Sequence, residues 1–231
     1  MSEEIRERLA RVRQQIARAA ERAGRNPEEI TLIAVSKTFD PATVQLAVDA
    51  GARDLGENRV QEALDKVDKV KADNLRWHLI GHLQSNKARV AVRAFDMIHS
   101  VDSAELARRL DRIAGEEGRR PSILIQVDLA GEATKSGADE SALAEIAEAA
   151  DAAENLDFRG LMTLPPFFDS PGETRPYFRR LRELLERLNE GRPIERRLSE
   201  LSMGMSHDFE VAIEEGATMV RVGTAIFGAR K

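Results

Sequence analysis

Cysteine is absent from the 231 residues. Without a thiol there is no disulfide, no thiolate nucleophile and no cysteine-based zinc site. That absence suits a reducing compartment, and the expected location is the cytoplasm. Long apolar runs are also missing: none approaches the roughly 18 residues of a membrane helix. The opening Met1-Ser2-Glu3-Glu4 is acidic and lacks the apolar core of a signal peptide. Positive charge is not in excess. The net charge is −5 and the pI about 5.6, so nothing points to nucleic acid or a membrane surface as partner. Lysine is scarce, with seven among the 35 basic residues. A coding bias toward Arg is the simplest explanation, yet each Lys is worth placing. No Pro/Gly linker, composition shift or low-complexity segment divides the chain.

What remains is an ordinary globular balance, with 42% hydrophobic and 32% charged residues. Residues 3–23 carry Ile5, Leu9, Val12 and Ile16 at helical spacing, which predicts an amphipathic helix stopped by Gly24 and Pro27. Eight strand candidates then alternate with helices. They are 31–37, 54–58, 77–81, 97–101, 122–129, 158–163, 198–203 and 219–222. Asp40-Pro41 and Ser103 read as helix starts, and Gly51 and Gly216 as helix ends. A helix over 174–190 and another over 206–215 complete the later part. Regular alternation implies a parallel sheet, and eight repeats fit a closed (β/α)₈ barrel over about 31–228. An open doubly wound sheet is the alternative. The Gly-rich turn it usually carries after strand one is replaced here by Lys37-Thr38-Phe39-Asp40.

Barrel active sites lie at the carboxyl ends of the strands. The polar residues expected there are Lys37, Asn58, His82, Ser100, Lys135, Thr163, Ser206, Arg221 and Thr224. Lys37 ends an apolar strand. It reads either as a lysine reaching out to water or as an amine whose desolvation frees it to attack a carbonyl. Gly204 to Asp208 leads from strand seven into a helix, and Gly223-Thr224 follows strand eight. Barrels often hold phosphate between those two loops. Asp208 is the misfit, and its carboxylate should point away from an anion. Arg221 alternates with Val220 and Val222, so it points inward. It needs either an ion-pair partner, for which Glu57 or Asp128 are candidates, or a ligand. A reactive amine plus a phosphate site fits a Schiff-base aldolase of sugar phosphates or a pyridoxal 5′-phosphate protein. Strands one and eight are neighbours in a closed barrel. Lys37 and Arg221 would then flank a flat ring, which favours the second.

Longer motifs carry a family resemblance. Ala34-Val35-Ser36-Lys37-Thr38, Gly56-Glu57-Asn58-Arg59-Val60-Gln61-Glu62 and Trp77 through Lys87 resemble the pyridoxal phosphate homeostasis proteins. So do Gly160-Leu161-Met162-Thr163, Leu201 through Phe209 and Arg221 through Gly228. The resemblance implies a single-domain barrel like the alanine racemase N-terminal domain. It implies pyridoxal phosphate (PLP) held on Lys37 as an internal aldimine. Ser206, Gly223 and Thr224 would hold the phosphate, Arg221 would face the pyridine nitrogen and Asn58 would lie beside the ring. It also implies a role in vitamin B6 homeostasis, generally without strong catalysis. Pyridoxal enzymes that run carbanion chemistry commonly place a carboxylate at the ring nitrogen, and an Arg there weakens the electron sink. A racemase also needs a second proton-transfer group, which two-domain racemases take from a tyrosine of the second domain. The one tyrosine here, Tyr177, starts the 174–190 helix. The alternative reading is an amino-acid racemase or other weak PLP enzyme. Lys135 is a candidate second amine for capturing or handing over the aldehyde. Apo-enzymes are the expected recipients and a monomer the expected state.

Overall fold

The computed structural model describes residues 2–131 and 136–228. Eight parallel strands close into a barrel in sequence order, with β1 hydrogen-bonded to both β2 and β8. They are β1 Thr31–Val35, β2 Asp54–Glu57, β3 Arg76–Leu79, β4 Met97–Val101, β5 Ser122–Gln126, β6 Asp157–Met162, β7 Glu200–Met205 and β8 Met219–Val222. The closed (β/α)₈ expectation is therefore met, and the open sheet is excluded.

The helices are α1 Ser2–Arg22, α2 Pro41–Asp49, α3 Val60–Val67, α4 Ala88–Ala94, α5 Ala104–Glu117, α6 Leu143–Asp151, α7 Arg175–Leu188, α8 Phe209–Glu214 and α9 Thr224–Phe227. Their starts follow local chemistry. The Asp40 carboxylate accepts from the Thr43 N–H at 3.0 Å, with Pro41 in the first turn. The Ser103 hydroxyl accepts from the Leu106 N–H at 3.2 Å. α1 is the helix ahead of the barrel. It packs against α8, α9 and α2, burying Ile5, Leu9, Val12 and Ile16. The four-residue α9 is too short to cover the seam between β8 and β1, and α1 takes that place in the outer ring.

Most of the core lies between barrel and helices, with Leu55, Phe95, Leu110, Phe178 and Leu181 fully buried. Each such side chain contributes about 1.5–3 kcal/mol. A smaller cluster of Ile33, Met97, Leu124, Met162 and Met219 fills the barrel itself. The inward positions beyond this plug are polar, and that difference places the site.

Most strand boundaries shift by a residue or two from the sequence reading, and three of the shifts have a clear local cause. β1 stops at Val35 because Thr38 turns the chain at φ 70°. β5 stops at Gln126, and the Asp128 carboxylate accepts from the Ala130 and Gly131 N–H groups to close a turn. β7 runs on to Met205, so α8 begins at Phe209 and Ser206 lies in the turn between them.

Candidate functional site

One cavity of about 620 Å³ opens at the carboxyl end of the strands. Lys37, Asn58, Ser206, Arg221, Gly223 and Thr224 all line it, together with His82. The sequence-selected residues are thus brought to one place from β1, β2, β3, β7 and β8. Two of the wider set are not on its wall. Thr163 is buried and donates its hydroxyl proton to the Val127 carbonyl at 2.9 Å. Ser100 is buried, with no partner for its hydroxyl among the described residues. Lys135 lies outside the described residues.

Lys37 stands between two fastened residues. The Ser36 N–H donates to the Gly56 carbonyl at 3.0 Å, and the Ser36 hydroxyl donates to Glu57 Oε1 at 2.6 Å. From α3, Lys66 Nζ reaches both Glu57 Oε1 and the Ser36 carbonyl at 2.7 Å. On the far side the Thr38 N–H donates to Glu62 Oε2 at 3.2 Å. The Lys66–Glu57 pair is almost wholly buried, with side chains 5% and 0% exposed. Burial raises the Glu57 carboxyl above its usual range, against the opposing pull of Lys66 and Ser36. This triad fixes the backbone that carries Lys37.

Asn58 is set by a close backbone approach. A Cβ on Gly81 would stand 2.3 Å from the Asn58 carbonyl oxygen, so only glycine fits there. Across the cavity, Gly204 has φ 89°, and a Cβ on it would meet Ala212 Cβ at 2.5 Å. That tight turn brings Ser206 to the rim. The Gly223 N–H donates to Ser206 Oγ at 3.2 Å, which joins the loops after β7 and β8. Asp208 is buried, and its carboxylate accepts from the Met205 N–H at 2.7 Å. The misfit carboxylate is therefore tied back to the turn and is absent from the cavity wall, as expected. Burial still pushes it above the ordinary range, though Met205 and Arg221 oppose that.

Arg221 is the main correction. Neither Glu57 nor Asp128 pairs with it, because Glu57 is held by Lys66 and Asp128 by its own turn. Arg221 is buried, 3% exposed as a residue. It donates to Ser202 Oγ at 2.6 Å and to the Thr163 carbonyl at 2.9 Å. No carboxylate lies within ion-pair distance of it among the described residues. Burial lowers it to about 10, with Asp208 opposing. It therefore stays charged at neutral pH, facing the cavity.

Several wall residues had no sequence signal. Ile80, Leu164, Pro165 and Phe167 supply an apolar side, and His207 stands beside Phe167 with ring centroids 5.2 Å apart. Gln126 also lines the cavity. As the lone amide in the apolar run Ile123-Leu124-Ile125-Gln126, it could have been picked out. His82 faces Asp102 at 3.5 Å. Tyr177 is not on the wall; its ring stands 5.9 Å from that of Phe168.

The donor set fits PLP. A phosphate needs N–H and O–H donors with no carboxylate beside them, and Ser206, Gly223 and Thr224 meet that need. An unprotonated ring nitrogen is an acceptor, and the unpaired Arg221 is a donor.

The closed barrel of eight parallel strands is the fold of the alanine racemase N-terminal domain, and that family's model matches residues 8–231. The pyridoxal phosphate homeostasis protein of Aquifex aeolicus is 45% identical over 225 residues, covering 97% of this chain and 98% of the relative. The solved structure of PipY from Synechococcus elongatus with PLP bound is 45% identical, with TM-score 0.86, covering 97% of this chain and 100% of that one. The chain belongs to the pyridoxal phosphate homeostasis proteins, within the alanine racemase N-terminal domain family. An alanine racemase from Clostridium difficile shares the fold at 17% identity and TM-score 0.76, with 60% of its chain covered.

Proposed function

We propose that this protein binds PLP and serves its homeostasis, holding the cofactor through a Schiff base on Lys37. The carrying observation is that Lys37, the uncompensated Arg221 and the donors Ser206, Gly223 and Thr224 line one cavity. When bound, PLP supplies an aldehyde for amine capture and a ring that can act as an electron sink. Ser206, Gly223 and Thr224 hold the phosphate, Asn58 lies against the ring, and Arg221 donates to the ring nitrogen. An Arg at that nitrogen leaves it unprotonated. The site then favours storage and release over carbanion chemistry. We read residues 1–231 as one PLP-binding unit that works as a monomer in the cytoplasm and gives PLP to apo-enzymes. No helix among the described residues is long and apolar enough to cross a membrane.

Titration with PLP, followed by absorbance, tests the reading. A saturable imine band with one equivalent bound supports it, and a protein that stays colourless while binding sugar phosphates points to the aldolase class. The racemase alternative predicts rapid appearance of D-enantiomer from single L-amino acids under chiral analysis. The storage reading predicts none above the rate of free PLP.

A further inference from the structure

Two buried histidines, His78 on β3 and His99 on β4, stand inside the barrel and off the cavity wall. His78 Nε2 lies 2.8 Å from Asp54 Oδ1. His78 Nδ1 lies 3.0 Å from His99 Nε2, and His99 Nδ1 lies 2.9 Å from Ser202 Oγ. β4 and β7 are not neighbours, so that last bond crosses the barrel interior. Ser202 Oγ in turn accepts from Arg221. A continuous line of hydrogen bonds thus runs from Arg221 to Asp54. Asp54 opens β2 at the amino-terminal rim, where Arg76 pairs with it at 2.7 Å.

The chemistry of the groups gives this line a direction. A guanidinium only donates, so Ser202 Oγ accepts from Arg221, and the hydroxyl still has one proton to give, for which His99 Nδ1 at 2.9 Å is the acceptor in reach. An accepting Nδ1 leaves His99 with its proton on Nε2, and that N–H donates to His78 Nδ1. His78 then carries its proton on Nε2 and donates to Asp54. Each donor in the line meets one acceptor. Burial, the largest influence, holds His99 well below its usual pKa, and the Arg221 cation acts in the same sense. Burial pushes Asp54 up, but the bonds from His78 and Arg76 outweigh that and keep it below the ordinary range. The line therefore has a cation at one end and a carboxylate at the other.

We propose that Ser202, His99, His78 and Asp54 form a one-way hydrogen-bonded chain that gives Arg221 a remote counter-charge and fixes it as a donor toward the cavity. These four are positioning residues acting through Arg221. A carboxylate beside Arg221 would consume its free N–H groups. A counter-charge at the opposite rim leaves them available to an acceptor. The chain thereby selects a ligand presenting an unprotonated aromatic nitrogen or a carbonyl, and disfavours a pyridinium. This rests on the PLP reading for the ligand's identity, but the chain's direction does not.

Long-range ¹H–¹⁵N spectra of the histidine rings in the ligand-free protein at pH 7 decide the direction. The expected result is Nε2–H with an unprotonated Nδ1 on both His78 and His99. An Nδ1–H tautomer or a doubly protonated ring on either overturns the chain. Coupling to the site is read from Ser202→Ala and Ser202→Thr. Ser202→Ala should weaken PLP binding about tenfold, the effect of one charge-assisted hydrogen bond. It should also shift the His99 ring signals, and Ser202→Thr should restore both. Unchanged affinity and unchanged signals in Ser202→Ala overturn the coupling. If Ser202→Ala does not fold, the wild-type spectra still decide the direction. A wild type that takes up no PLP defeats the ligand reading alone. One that binds PLP on Lys37 with the opposite tautomers defeats the chain alone.

Discussion

The Lys66–Glu57 pair shows how much one side chain can carry behind a site it does not touch. Lys66 is a polar residue of a short surface helix by sequence, and its burial depends on where α3 crosses β2. Lys66→Ala leaves a buried carboxylate with one hydroxyl partner. It should cost about 3–5 kcal/mol in urea unfolding and loosen the backbone at Lys37. Lys66→Met, which keeps the volume, should still lose most of that if the charge pairing is what matters. Gly204→Ala puts a methyl against Ala212 at a positive φ, with an expected loss of about 1–3 kcal/mol in the same measurement. Lys37 and Arg221 were legible in the sequence because a cation at a strand end or among alternating valines breaks a local pattern. Arg221's surroundings were not. Which residues of β7 and β6 stand at its height depends on barrel register, and one sequence does not encode that visibly.

Among the elements, α1 is the part of the outer ring that is supplied from ahead of the barrel. Its buried stripe follows the helical period, so its existence and apolar face were readable. Its partner was not, because nothing local says that α9 is four residues long. Leu9→Ala should destabilise by about 2–4 kcal/mol in chemical unfolding. Arg22, whose partners Glu210 and Glu214 lie on α8, is half exposed. Arg22→Ala should cost much less than Leu9→Ala in the same measurement, and less still at high salt. Equal losses in the two variants would mean that charge, rather than packing, docks the helix. The boundary shifts at β1, β5 and β7 have a common cause. Side-chain bonds and a positive φ end or extend the strands there, and the hydrophobic pattern carries neither.

At the scale of the whole molecule, the barrel interior divides into an apolar plug and a polar layer that ends in the cavity. The strand count and the closure were legible from eight β–α repeats. The buried histidines were not, since His78 and His99 sit in strands that read as apolar. Their burial has a thermodynamic signature. His99 stays neutral in the folded state while the unfolded chain takes up a proton below about pH 6.5. The unfolded state then binds more protons, so stability falls as the pH is lowered from 7 toward 5. The slope should approach about 1.4 kcal/mol per pH unit. Urea unfolding across that range should show it, and His99→Gln should flatten it. A wild-type profile as flat as the variant's would mean that His99 is already charged when folded.

Lys37 is the proposed covalent anchor of PLP. Borohydride reduction of the PLP-loaded protein, followed by digestion and mass spectrometry, tests it most directly. A single phosphopyridoxyl adduct is expected on the peptide containing Lys37, and both that adduct and the imine band should be lost in Lys37→Ala. A label confined to another lysine, or a band of equal intensity in Lys37→Ala, would contradict it.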